Sequence, residues 1–186
     1  AKADQYKQNI AIVFVYERVR GCPYACTFCD WNAGLHHKVN QRKNDWRKEL
    51  EFLSNFNISM IINDANFGML KEDLEVNEVA SALAAKTDFS FHLNNMDKLK
   101  KKVVFDIFET KYEYGGRKYK ISLQHLDETV LKNINRPEIP WEKHKQLLTN
   151  FKRKHNDVNF EVELIHGLPG ATVDLHIKQL IELAEI

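Results

Sequence analysis

Cys22, Cys26 and Cys29 are the three cysteines of this chain, and all fall in the stretch GCPYACTFCDW, residues 21 to 31. Thiolates hold iron-sulfur clusters and zinc, and three in a loop led by glycine and proline can converge on one metal centre. A cubane cluster has four irons, so three cysteines leave one iron without a protein ligand and open to a small molecule. Three other readings compete: a zinc site completed by His36 or His37, a redox pair with a spare thiol, and burial in a core. An odd number of clustered cysteines is a poor disulfide framework, so a reducing compartment is expected, with the cytoplasm as the default.

Composition narrows the field. At 186 residues with 44% hydrophobic content, the chain suits one globular domain spanning 1–186. Lys and Arg total 27 against 26 Asp and Glu, a net charge of +1 that gives no global argument for binding nucleic acid or membrane. No stretch approaches the roughly 18 consecutive apolar residues of a membrane span. The start, AKADQYKQNI, lacks the apolar core of a secretory signal. The lysine-rich stretches DKLKKK (97–102) and KRKH (152–155) read as solvated helix faces.

The elements that must position the thiols follow from periodicity. Short runs rich in branched residues, IAIVFV (10–15), ISMII (58–62), FSFHL (89–93), YKISLQ (119–124) and FEVELI (160–165), are strand candidates. Helical spacing lies between them, at 46–56, 76–85, 96–108, 127–134, 140–154 and 172–186. Asp127 suits an N-cap and Pro140 a first helical turn. YGGRKY (114–119) reads as a turn, since adjacent glycines tolerate positive φ. Five β-α units in this order imply a parallel sheet with helical crossovers, either a barrel or an open doubly wound sheet. In both, chemistry gathers at the C-terminal ends of the strands, where the cysteine window lies. The chain stops at IELAEI within a helical pattern, so a fragment of a longer polypeptide is expected, its remainder covering the sheet edge.

The spacing Cys-x-x-x-Cys-x-x-Cys, with Phe28 before the last cysteine and a strand before the loop, resembles the signature of the radical S-adenosylmethionine superfamily. Later segments resemble it over nearly the whole chain. The resemblance implies an α/β fold, a partial parallel (β/α) barrel incomplete at its C-terminus. It implies that Cys22, Cys26 and Cys29 hold a 4Fe-4S cluster whose fourth iron is chelated by the amino and carboxylate groups of S-adenosylmethionine. Reductive cleavage of that cofactor, fed by a donor such as flavodoxin or ferredoxin, would give a 5'-deoxyadenosyl radical that abstracts hydrogen from a substrate.

The same resemblance assigns further residues. Phe28 would lie beside the adenine, largely through its backbone. INDANFG places Asn63, Asp64 and Ala65 where the superfamily has a turn that accepts the cofactor's amino group, and Asp64 is the candidate acceptor. The alternative is an aspartate that stabilises its own turn. ISLQHLDETVLKNINR places Gln124 where a polar residue meets the ribose and Arg136 where a guanidinium meets the carboxylate. Arg136 also suits a helix-terminal cation. In VELIHGLPG, Glu163 is the candidate for ribose hydroxyls and Ile165 for adenine, sharing a face by strand alternation. His92 and Asn94 stand where an acid often touches the cofactor, a satisfied core histidine being the alternative for His92. His125 and Trp31 are candidates to meet substrate.

CDWN, DANFG and HGLPG look most like the cobalamin-associated branch, whose members carry a separate cobalamin-binding domain; cobalamin would then belong outside this chain. A rival reading is an iron-sulfur protein of electron transfer or regulation that leaves the cofactor intact. Peptide, tRNA base, lipid and small-metabolite substrates stay open.

Overall fold

The structure, a computed structural model, describes residues 12–30, 38–93, 96, 98, 101–136 and 138–186. Trp31, His36, His37 and Asn94 lie outside the described residues.

The β-branched run after Ile12 forms β1 (Val13–Tyr16), and a two-residue strand β2 (Val19–Arg20) precedes the cysteine loop. Beyond that loop come β3 (Asn40–Gln41), α1 (Trp46–Leu53), β4 (Ser59–Ile62), α2 (Glu72–Ala84), β5 (Ser90–Leu93) and α3 (Lys102–Glu113). The chain continues through β6 (Lys118–Gln124), α4 (Glu128–Asn133), α5 (Trp141–Lys154), β7 (Asn159–Leu164) and α6 (Val173–Ala184). β1, β4 and β5 pair in parallel in that order, and β6 pairs in parallel with β7. The expected α/β fold of parallel strands and helical crossovers is observed. Among the described residues no helix is long and apolar enough to cross a membrane.

Three local outcomes differ from the periodicity. The antiparallel ribbon of β2 and β3 was not expected, because two residues per strand leave no alternation to read. The helix expected from Met96 starts at Lys102, and Met96 instead forms a parallel bridge with Phe67 that extends the β4–β5 pairing. No side chain caps α3 at Lys101, so the sequence carries no start signal there. The strands also form two separate parallel groups. Asp127, by contrast, caps α4 as expected, accepting from the backbone N–H of Thr129 and Val130.

Strand alternation sorts the side chains. Met60, Ile62 and Leu93 are buried on the helix side of the first sheet, and Tyr119, Ile121 and Leu123 on that of β6. The opposite face of β6 carries Lys120, Ser122 and Gln124, and Ser122 pairs in register with Glu163 of β7. α3 joins the two groups, since Ile107 packs with Leu50, Met60 and Val76 while Val104 and Phe108 pack with Tyr119, Leu148 and Phe151. The Phe108 ring lies 4.8 Å from Tyr119 and 5.7 Å from Phe151, centroid to centroid.

Truncating either side of that hinge leaves a cavity the neighbours cannot fill. Phe108→Ala is expected to cost about 3–5 kcal/mol and Ile107→Ala about 2–5 kcal/mol in urea denaturation of the whole chain. A loss under about 1 kcal/mol at both positions would contradict the shared-core role of α3.

Candidate functional site

The site begins where β1 ends. The carboxylate of Asp64, at the end of β4, accepts the backbone N–H of Arg18 at 2.6 Å and of Val19 at 2.9 Å. Gly21 then turns the chain with φ +94°, and a Cβ there would stand 2.0 Å from the Lys38 carbonyl oxygen, so only glycine fits.

The cysteine loop is fastened on both flanks. Asn66 Nδ2, following β4, donates to Cys22 Sγ at 2.9 Å, and the Tyr24 backbone N–H donates to the same sulfur at 3.4 Å. On the other flank the Thr27 N–H donates to the Ile134 carbonyl at 3.0 Å, and Asn135 Nδ2 donates to the Ala25 carbonyl at 3.0 Å. Asn135 makes that reach from a left-handed backbone, φ 51°. Arg136 Nη1 points at Cys26 Sγ from 3.8 Å.

The three thiols, free and half-buried, share the wall of a cavity of about 310 Å³. Tyr24, Phe28 and Asp30 line it from the loop, Ala65 and Asn66 from the end of β4, and Met96, Ser122, Gln124, Arg136 and Glu163 complete it. Among the described residues no three His, Cys, Asp or Glu side chains close on a single ion. Thiolates are the ligand type that iron-sulfur clusters take, and all three line this one cavity.

In the same cavity lining, Glu163 Oε2 accepts from Ser122 Oγ at 2.5 Å and Oε1 pairs with Lys120 Nζ at 2.7 Å. Burial pushes the Glu163 carboxyl up, but the Lys120 and Ser122 hydrogen bonds outweigh it and hold the group below the usual carboxylate range. It is an ionised acceptor at neutral pH. Gln124 has φ 70°, a conformation costing a non-glycine residue about 1–2 kcal/mol, at a shift in the β6–β7 register between Ser122 and Gln124. Strain at a cavity-lining residue marks a position the surrounding structure over-determines.

No family model matches the chain. Two curated relatives do. The cobalamin-dependent radical SAM methyltransferase TokK of Streptomyces tokunonensis is 29% identical over 177 residues, covering 89% of this chain and 25% of the relative. The 2-(S-pantetheinyl)-carbapenam-3-carboxylate methyltransferase of Streptantibioticus cattleyicolor is 29% identical over 169 residues, covering 88% and 24%. Among solved structures, the radical S-adenosylmethionine methyltransferase TsrM of Kitasatospora setae superposes with a TM-score of 0.73 at 16% identity, over 98% of this chain and 35% of that one. SuiB of Streptococcus suis, bound to S-adenosylmethionine, gives 0.65 at 15% identity, over 98% and 41%. The chain has the radical SAM fold. The resemblance to that superfamily, and within it to the cobalamin-associated branch, agrees with these relatives. The chain spans about a quarter of the length of the curated relatives it matches.

Set on this radical SAM framework, the candidate residues divide. Cys22, Cys26, Cys29, Phe28, Gln124, Arg136 and Glu163 meet at one cavity. Asp64 does not join them: it is 1% exposed and turned to the β1–β2 connection, leaving Ala65 and Asn66 at the cavity wall. Two backbone donors hold its Oδ1, and Arg18 Nη2 stands 3.9 Å from its Oδ2, which has no hydrogen-bond partner among the described residues; burial, the largest influence, pushes its carboxyl up. Ile165 also stands apart. β7 ends at Leu164, so strand alternation no longer governs the next residue, and Ile165 packs against Val130, Leu131, Ile134 and Leu168. His92 lies lower on β5, outside the cavity wall, and burial lowers its pKa. His125 is buried, accepts the Asp127 N–H at Nδ1 (3.0 Å), and lines a different cavity of about 380 Å³ with Trp141 and Gln179.

Sequence reasoning missed Tyr24, Asp30, Asn66, Met96 and Ser122. Ser122 carried a signal, two residues before Gln124 on the same strand face. Beneath Arg136 lies a further unforeseen residue, His144 on α5, buried with Nε2 lacking a hydrogen-bond partner among the described residues. Burial first, and the Arg136 charge second, push its pKa down from 6.5 to about 4.

Two outcomes follow from this geometry. Asp64→Ala strands the buried Arg18 and two N–H groups, and is expected to cost about 3 kcal/mol in denaturation of the chain without any cofactor; wild-type stability would show that Asp64 anchors nothing. Because His144 resists protonation in the fold, the unfolded chain takes up that proton first as the pH falls. Stability is then lost between the unfolded value of 6.5 and the folded value near 4. This amounts to about 2 kcal/mol between pH 7 and pH 5, and His144→Gln should flatten that slope by the same amount.

Proposed function

We propose that this chain is the core domain of a radical SAM enzyme, with Cys22, Cys26 and Cys29 as ligands of a 4Fe-4S cluster. The observation that carries the reading is one cavity lined by three half-buried thiols together with Gln124, Arg136 and Glu163. When bound, the cluster supplies the electron that cleaves the sulfonium of S-adenosylmethionine, with flavodoxin or ferredoxin as the class of donor.

The protein's own residues orient the cofactor. Glu163, ionised and braced by Lys120 and Ser122, is a fixed acceptor for ribose hydroxyls, and charge-assisted hydrogen bonds of this kind are worth about 1.5–3 kcal/mol. Gln124 adds an amide on the same side. Arg136 already meets Cys26 Sγ and the Ser122 carbonyl, and its planar fork keeps donors for the cofactor's carboxylate. With Asp64 turned away, the Asn66 amide oxygen takes over as acceptor for the cofactor's amino group. Phe28 and Met96 supply the apolar wall that shields the adenine from water.

Both curated relatives are methyltransferases and one is named cobalamin-dependent, which supports methyl transfer as the outcome. No described residue is assigned to cobalamin. The enzyme's working compartment is the cytoplasm, where the thiols stay reduced.

Anaerobic reconstitution of the chain with iron and sulfide should give about four irons per chain and, with dithionite and S-adenosylmethionine, 5'-deoxyadenosine. A preparation that binds zinc alone would sink the proposal. Glu163→Gln should leave the iron content unchanged and weaken S-adenosylmethionine binding about tenfold, equivalent to ~1.4 kcal/mol, read by titrating the reduced cluster's EPR signal.

A further inference from the structure

We infer that Glu138 is a positioning residue for the cysteine loop, a buried carboxylate that aims two cations at it and thereby sets the reduction potential of the cluster. The inference rests on the reading of the three thiols as cluster ligands. The Glu138 side chain is 3% exposed in the connection between α4 and α5. Its Oε1 stands 3.3 Å from Arg136 Nε and 3.4 Å from Lys98 Nζ, and Lys98 is itself 2% exposed. Each cation then touches the loop at a different place. Arg136 Nη1 points at Cys26 Sγ from 3.8 Å, while Lys98 Nζ sits 4.2 Å from the centroid of the Tyr24 ring. On the far side His144 Nε2 is 4.0 Å from Glu138 Oε2, and its depressed pKa keeps the imidazole neutral. One carboxylate therefore holds two cations that reach the cysteine loop, Arg136 at the Cys26 sulfur and Lys98 at the Tyr24 ring.

Hydrogen bonds to the ligand sulfurs and the net charge around a cluster tune its potential. An electron added to the cluster raises its negative charge, which nearby buried cations favour and a nearby buried anion opposes. Glu138→Gln removes the anion and keeps the shape. Lys98→Met removes one cation and keeps most of the stem.

The reconstituted chain, poised with mediators and read by EPR, tests this directly. Glu138→Gln should shift the reduction equilibrium about tenfold toward the reduced form, ~59 mV for one electron, and Lys98→Met should shift it the opposite way. Glu138→Asp should restore most of the wild-type potential, and the Glu138→Gln, Lys98→Met pair should return near it even where Glu138→Gln alone folds poorly. Wild-type potential in both single variants, or in the folded one of them, overturns the inference. Failure of the wild-type chain to assemble any cluster would instead overturn the reading on which it rests.

Discussion

A buried ion cluster fixes the mouth of this fold. Arg18, 2% exposed, reaches Asp73 through Nη2 and Glu72 through Nη1 at 2.6 Å, and its own backbone N–H is held by Asp64. The other Asp73 oxygen accepts the N–H groups of Gly68 and Leu70 at 2.8 Å each. One side chain thus connects the end of β1, the connection after β4 and the first turn of α2. The loops that supply Cys22 and Asn66 leave from that knot, so their relative placement is decided there. A buried ion pair adds little net stability once its dehydration is counted, yet removing one partner costs several kcal/mol. What the cluster contributes here is uniqueness of geometry at the rim.

The inner face of the β6–β7 pair shows the complementary choice. A strand face turned inward in a barrel is ordinarily filled by branched apolar residues. Here it carries Lys120, Ser122, Gln124, Glu161 and Glu163. Lys120 and Glu163 satisfy each other, Ser122 adds a donor, and Ser122, Gln124 and Glu163 give a polar lining to the cavity that the thiols share. Core volume lost there is regained outside, where Tyr119, Phe108, Phe151 and Phe160 interlock between strand and helices. Stability and function are divided between the two faces of the same strands.

That division explains what could be read in advance. The cysteine spacing and the five parallel strands rest on local pattern and strand period, whereas Gln124, Arg136 and Glu163 were implied by the family resemblance, and the structure lines one cavity with these residues and the cysteines. Asp64 is turned from the cavity because its Oδ1 accepts the N–H groups of Arg18 and Val19, some 45 residues away, and no local pattern carries that contact. Ile165 packs away from the cavity lining because β7 ends at Leu164 and alternation does not extend one residue past it. Glu138 left no local trace at all. A carboxylate between two prolines reads as loop, and its burial depends on Lys98, Arg136 and His144 arriving from separate elements.

The split between the two parallel groups gives the cysteine loop a structural part as well as a chemical one. Asn66 grips Cys22 from the β4 side, while Ile134, Asn135 and Arg136 grip residues 25 to 27 from the side of α4, which follows β6. The loop therefore spans the gap at the mouth that strand pairing leaves open. Binding free energy of a metal centre whose ligands are incompletely ordered beforehand appears as folding free energy of the elements that carry them. On the proposed reading, a cluster held by Cys22 and Cys26 would tie those two flanks together, and the cofactor contacts proposed at Gln124 and Glu163 would lie on the second flank. Cofactor affinity and the ordering of the mouth would on that reading be one linked equilibrium, with the buried charges of Arg18 and Glu138 placed on either side of the loop.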